Sequence, residues 1–550
     1  MARWGRSAAR AAGLSLNFWR GQVDKMKGLI AWFVIVVLVL PAAPVFSQSS
    51  AESFPTKRIE TRETWRRDGL DGIVQAKKMR FRKGKAKNVI LFIGDGMGVS
   101  TVTASRILEG QLRGESGEEN SLSFEKFPFL ALSKTYSVNQ QTSDSAPTMV
   151  SIVTGVKTLE GVISVDQNSV RGDYRSVEGN RLPTVLELAE LSGRSTGVVT
   201  TARLTHATPA ACYAHTPDRD WESDGDIFRK SREAFDAGFP DIARQLIEFP
   251  YGNGLEVAMG GGRYNFLSEN EPDPEAPENP RRNGHRLDKR DLTREWLAKY
   301  KSSEYVWNRE QFDRVDPRKT DHLLGLFEGS HMQYEYDRKR TGEKEPSLSE
   351  MTSKAIDILS KNKKGYFLMV EGGRIDHAHH EGNAFRALTE AIELSNAVRT
   401  AQSKVDLDDT LIIVTADHSH TLTIAGYAGR GNNILGLTRP APEPGETSVV
   451  ASRDKNNKTF TALGYANGPG GVSGERKDLD QKTVTDPDYV QEAIIPLPSE
   501  THAGEDVPIF AEGVDAWMVH GVMEENWIYY VMREALRLDE SKLLGKARRK

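Results

Sequence analysis

Thr142 Ser143 Asp144 Ser145 Ala146 Pro147 Thr148 sets hydroxyls and an acid directly before the apolar run 149–154. Alone, that pattern is a helix cap, because short oxygen-bearing side chains satisfy the free amides of a first turn. Ser145 becomes a candidate nucleophile when set beside acids and histidines, most of which follow apolar runs elsewhere: Asp95, His206, Thr208, Glu371, Asp376, His380, Asp417, His418 and, on a loop, His502. A buried carboxylate is costly unless it is paired or metal-bound, so several converging on one edge argue for cations. Ordinary caps and surface acids explain each residue singly but not the set.

The densest piece is Glu371 Gly372 Gly373 Arg374 Ile375 Asp376 His377 Ala378 His379 His380. On a helix, Asp376 and His380 share one face, a spacing that suits two ligands from one element. Histidine with carboxylate suits zinc, whereas the oxygen-rich group Asp95, Thr208 and Glu371 suits magnesium. His215, His322, His331 and His520 read as ordinary satisfied histidines.

The elements that must position these residues alternate. A buried strand at 89–93, a Gly-rich loop and a helix at 99–108 form one βα unit, and strand patterns recur at 195–201, 366–370 and 410–415, with a helix over 384–398. Such alternation predicts an α/β fold, a three-layer αβα sandwich with a large, mostly parallel central sheet and surface insertions. In open sheets of this kind ligands sit beyond the carboxyl ends of the strands, and Asp95, Glu371, Asp417 and His418 all fall there. Residues 48–86 read as an N-terminal arm with a helix near 65–80, and 87–540 as the catalytic domain. Within it, the charged, Pro- and Gly-rich stretch 267–345 reads as a surface insertion and 425–500 as a loop-rich subdomain with short strands. Residues 541–550 read as a solvated basic tail.

At 550 residues and 38% hydrophobic content the chain can bury a large core. Its single cysteine, Cys212, excludes an intramolecular disulfide and reads as a small buried hydrophobe. Six basic residues lead into the apolar run 29–40, which is too short for a comfortable membrane span, so 1–47 reads as a cleaved export signal, with Met26 an alternative start. Its removal shifts the formal charge from −4 to −9, which disfavours nucleic acid as a partner. The mature protein is expected in the periplasm or outside the cell, without a stable membrane span unless the signal stays uncleaved as an anchor.

The segments 88–98, 142–157, 205–221, 370–382, 415–420 and 500–506 strongly resemble alkaline phosphatases, and the resemblance runs from about 88 to 522. It implies hydrolysis of phosphate monoesters through a phosphoserine intermediate on Ser145, at a site of two zinc ions and one magnesium ion, in a homodimer. One zinc would lie on Asp376, His380 and His502, and the other on Asp95, Asp417 and His418 beside Ser145. Magnesium would take Asp95, Thr208 and Glu371, and Arg219 would bind the phosphate, unless it only pairs with Asp218 or Asp220. His206 and His377 stand where many bacterial members carry Asp and Lys, and resemble the vertebrate-type arrangement. Vertebrate-type members also hold calcium in a surface subdomain. Glu233, the Phe327 carbonyl, Glu328 and Glu345 fall on that pattern, although the family usually has Asp at the last position. The end Leu543 Leu544 Gly545 Lys546 differs from a hydrophobic anchor signal. Phosphodiester or sulfate ester cleavage is the nearest alternative activity, and a noncatalytic phosphate or metal carrier the more distant one.

Overall fold

A computed structural model describes residues 60–443 and 449–547. The expected export signal, the start of the arm and the last three basic residues lie outside the described residues.

Ten strands build the central sheet, numbered here in chain order: β1 Asn88–Gly94, β2 Phe129–Lys134, β3 Ser195–Arg203, β4 Val257–Gly261, β5 Ser303–Val306, β6 His322–Leu326, β7 Tyr366–Gly372, β8 Thr410–Thr415, β9 Val507–Gly513 and β10 Gly521–Glu524. Across the sheet they run β10, β2, β9, β8, β1, β7, β3, β4, β6, β5. Only β9 opposes the rest, pairing antiparallel with both β8 and β2.

The central strands are buried on both faces, as their unbroken apolar runs require. Because successive side chains alternate, Val89, Leu91 and Ile93 of β1 enter one core while Ile90 and Phe92 enter the other. The first core is covered by Ser145–Thr154 and Trp527–Leu536, the second by Leu348–Leu359 and Ala384–Lys404. Three layers result, the αβα sandwich read from the sequence.

Two stretches differ from the reading of the sequence. Residues 267–345 do not lie wholly on the surface, for they supply β5 and β6 at one edge of the sheet. The five residues of β6 are all buried, and the charged sequence around them hides so short a run. At the other end of the chain, Glu540–Ala547 is a helix whose Leu543 and Leu544 pack on the core, so most of that segment is docked. Helix Arg62–Lys77 of the arm buries none of its residues and exposes Trp65, Leu70 and Ile73. The 425–500 region carries short strands, and Leu422–Ile424, Leu463–Gly468 and Ala493–Pro496 form a separate three-stranded sheet.

Candidate active site

The cleft lies at the carboxyl ends of β8, β1, β7 and β3, where chain order reverses on either side of β1. Helix Ser145–Thr154 points its first turn there. Asp144, not Ser145, is the cap, and its carboxylate accepts from Ala146 N at 3.3 Å. Ser145 is therefore the first helical residue and its hydroxyl is free to face the cleft. Its Oγ lies 3.1 Å from His418 Nε2 and 3.4 Å from Asp95 Oδ1, with the residue only 3% exposed.

Asp95 follows β1, while Asp417 and His418 follow β8. Asp417 Oδ1 accepts from Gly96 N at 3.1 Å and from His418 N at 2.9 Å, which fixes the carboxylate. Asp95 Oδ2, Asp417 Oδ2 and His418 Nδ1 are buried without a hydrogen-bond partner. Burial, and then Asp417, Asp376 and Glu371, push the Asp95 carboxyl well above its ordinary value. Asp417 is pushed up to about 6, chiefly by burial. Acids crowded this closely, with orphaned oxygens, fit a cation.

A second group surrounds Asp376. Helix Arg374–His380 brings His380 Nε2 within 3.4 Å of Asp376 Oδ1. His502, read from the sequence as a loop residue, is on a two-residue strand, His502–Ala503, that pairs antiparallel with Ser419–His420. The ribbon sets His502 Nε2 3.3 Å from Asp376 Oδ1 and 3.1 Å from His380 Nε2. The other ring nitrogens face backbone carbonyls, His380 Nδ1 at Glu500 O (2.6 Å) and His502 Nδ1 at Ser143 O (2.8 Å). With each Nδ1–H donating to its carbonyl, both Nε2 lone pairs aim at one point, an arrangement that a metal ion satisfies.

His420 and Glu500 escaped the sequence reading. His420 Nε2 lies 2.8 Å from Asp376 Oδ1 and its Nδ1 2.5 Å from Glu500 Oε2. Burial alone would lower the imidazole, but the two carboxylates outweigh it and raise it to about 9, so His420 is an imidazolium that orients Asp376. The signal was present, since His418 and His420 alternate by two, as do Glu500 and His502.

Glu371, at the end of β7, accepts a short hydrogen bond from the Thr200 hydroxyl of β3 and keeps Oε1 buried without a partner. Burial is the largest of the influences that lift its carboxyl to about 7. Asp95, His206 and Glu371 converge on one point, and Thr208, in the short helix after His206, is fully buried with its own hydroxyl unpartnered. The group read as oxygen-rich was Asp95, Thr208 and Glu371, and His206 adds a ring nitrogen to it.

The neighbouring wall, which meets these acids at His206, is basic. Arg219 is paired with Asp144, the cap of the Ser145 helix, while Asp218 and Asp220 pair with Arg171 and Lys230 instead. Arg219 Nη2 also lies 3.1 Å from His206 Nε2. His331 is not an ordinary histidine of the surface or core: its ring centroid is 4.1 Å from that of His377 and 5.5 Å from that of His206. Burial first, then neighbouring arginines and histidines, lower all three, His377 to about 3. His215 and His322 are satisfied core residues, each with a ring nitrogen on a backbone carbonyl. His520 is exposed, and Cys212 is fully buried.

Of the residues matched to calcium, Glu233 is exposed and paired with Arg175. Glu275, from the Pro-rich stretch, approaches Glu328, and Arg282 spans the pair with distances of 3.2 Å and 3.5 Å. Glu345 is 2% exposed, accepts from Gln333 N at 2.7 Å and has Oε2 unpartnered, with its carboxyl raised by burial, Glu328 and Glu275. Phe327 precedes Glu328 at the end of β6.

A doubly covered parallel sheet that gathers acids and histidines around one serine at its carboxyl edge is the layout of an α/β metal-dependent hydrolase. The family model for alkaline phosphatase matches residues 86–538. An alkaline phosphatase of Gadus morhua is 44% identical over 496 residues, 89% of this chain and 100% of that protein. The tissue-nonspecific isozyme of Homo sapiens is 45% identical over 477 residues, 86% of this chain and 88% of that protein. Among solved structures, the Thermus thermophilus alkaline phosphatase matches with a TM-score of 0.57 at 22% identity, over 90% of this chain and 100% of that one. The chain belongs to the alkaline phosphatase family, and it is an enzyme that hydrolyses phosphate monoesters.

Proposed function

We propose that Ser145 is the nucleophile of this phosphatase and that a phosphoserine forms on it. The observation that carries this reading is the position of Ser145 Oγ, 3.1 Å from His418 Nε2 and 3.4 Å from Asp95 Oδ1, beside two orphaned carboxylate oxygens. Asp376, His380 and His502 would hold one zinc ion, Asp95, Asp417 and His418 a second, and Asp95, Thr208 and Glu371 magnesium. When bound, these ions would supply positive charge at the attacking and leaving oxygens of an in-line displacement. The protein's own part is positioning. Asp144 caps the helix and holds Arg219, so the arginine fork faces a phosphate on Ser145 with its geometry set in advance. The buried first turn of that ten-residue helix aims its amides at the same phosphate. His420 keeps Asp376 ionised and oriented.

Calcium at Glu233, Glu328, Glu345 and the Phe327 carbonyl is supported by the unpartnered Glu345 Oε2. Homodimer formation fits the apolar side chains that helix Arg62–Lys77 leaves exposed. Export is inferred from the leader; among the described residues no helix is long and apolar enough to cross a membrane.

Acid quenching with labelled substrate tests the nucleophile. Wild-type protein should retain label on a serine and Ser145→Ala none; a labelled alanine variant rules Ser145 out. Turnover of an aryl phosphate, a bis-aryl phosphate and an aryl sulfate should rank the monoester first.

A further inference from the structure

Three arginines border the histidine wall, and two of them are neutralised. Arg203 is held by Glu222 at 2.6 Å and Arg219 by Asp144. Arg374 differs: among the described residues no carboxylate pairs with it. Its guanidinium lies over the Tyr334 ring, 3.8 Å from the centroid, with Nη1 3.1 Å from His377 Nδ1 and Nε buried without a partner. Stacking and the histidine fix its direction without cancelling its charge.

That charge lines a cavity of about 460 Å³ beside His380, walled also by His377, Glu381, Pro469 and Pro498. The cavity reaches the Asp376, His380 and His502 group through His380, and Ser145 is not in its lining. In an in-line displacement the leaving group departs on the side opposite the nucleophile, so the alcohol portion of a substrate would occupy this space. We propose that Arg374 is a specificity-determining residue that favours phosphate monoesters whose leaving group carries negative charge near the ester oxygen. The inference rests on the phosphatase reading of the site and assigns the leaving-group pocket within it. Glu381 is the one acid of the lining and opposes the preference. The proline walls bring no charge of their own.

A matched series isolates the effect. Phosphoglycolate, ethyl phosphate and O-phosphoethanolamine have leaving groups of similar size that are anionic, neutral and cationic. The wild-type holoenzyme should rank them in that order by kcat/KM. In Arg374→Met the advantage of phosphoglycolate over ethyl phosphate should shrink about tenfold, the effect of one partly screened charge at close range. Arg374→Lys should keep most of it, and Glu381→Gln should enlarge it. Calorimetric binding of 3-phosphonopropionate against propylphosphonate, which cannot be hydrolysed, should lose the same selectivity in Arg374→Met. An Arg374→Met protein that melts like wild type yet keeps its charge preference overturns the proposal. If that variant does not fold, a Glu381→Gln enzyme with no greater preference than wild type overturns it. Failure of the wild type to hydrolyse any of the three would instead sink the phosphatase reading beneath it.

Discussion

On one wall of the cleft Asp95, Glu371 and Asp417 are pushed towards their protonated forms, and on the other His206, His331 and His377 are pushed towards neutrality. Burial is the largest influence in all six, and it acts against whichever form is charged. The acids crowd one another and leave oxygens unpartnered, so only added positive charge relieves them. The histidines sit among Arg203, Arg219 and Arg374, and of these Arg374 has no carboxylate partner among the described residues. One wall is therefore built to receive cations and the other to face an anion. A phosphate bound between them meets both demands.

The sharpest way to break this contrast is at the serine where the walls meet. Ser145→Ala should lower kcat by roughly 10³-fold or more while leaving the fold intact, as measured by steady-state kinetics and a melting curve. Chelation should abolish activity, and zinc with magnesium should restore it. The chelated protein also carries a pH signature. Asp417 at about 6 and Glu371 at about 7 bind protons more tightly folded than unfolded, where acids titrate near ~4. Their contribution to stability is thus present at low pH and lost as pH rises from about 4 to about 7. The gain in Tm on adding metal should consequently grow across that window, and a gain independent of pH would contradict the acid wall as described.

A smaller loss is expected one contact away from the cluster. His420→Ala removes the imidazolium from Asp376 and Glu500 and should weaken metal affinity about 10- to 100-fold, read by titration against a competing chelator. On the basic wall, His331→Ala should raise KM for an aryl phosphate by only a few fold, about 1 kcal/mol, because His331 reaches Arg219 through His206 and not directly. Least of all, Glu345→Gln should leave turnover near wild type but shrink the Tm gain produced by calcium.

Much of the acid wall was legible because each member ends a strand or shares a helix face. Asp376 and His380 needed only their spacing of four, and Asp95 and Asp417 only the apolar runs before them. Residues that arrive through tertiary structure were harder to read. His331 belongs to the wall because the chain after β6 folds back to Thr201, through Met332 N bonding Thr201 O at 3.0 Å, and no local pattern encodes that return. Glu233 came from the family pattern alone, and Glu275 went unread because only the packing around Glu328 brings it near. Ser145 was read as cap and nucleophile at once, whereas Asp144 takes the cap. That division leaves the serine hydroxyl free of amides and lets the capping acid also hold Arg219.

The ribbon that joins Ser419–His420 to His502–Ala503 pins both ends of everything between them. The described residues between them, 421–443 and 449–501, belong to one long excursion with its two feet clamped together. Lengthening such a loop costs little, because the entropy of closure rises only with the logarithm of its size. Insertions and deletions there can come and go while His502 stays opposite His420. Pro469 and Pro498, however, lie inside the loop and wall the cavity beside His380. The ribbon thus separates two tolerances to change: His420, His502 and the Arg374 helix are held still, and only the proline walls of the cavity lie where the chain can lengthen.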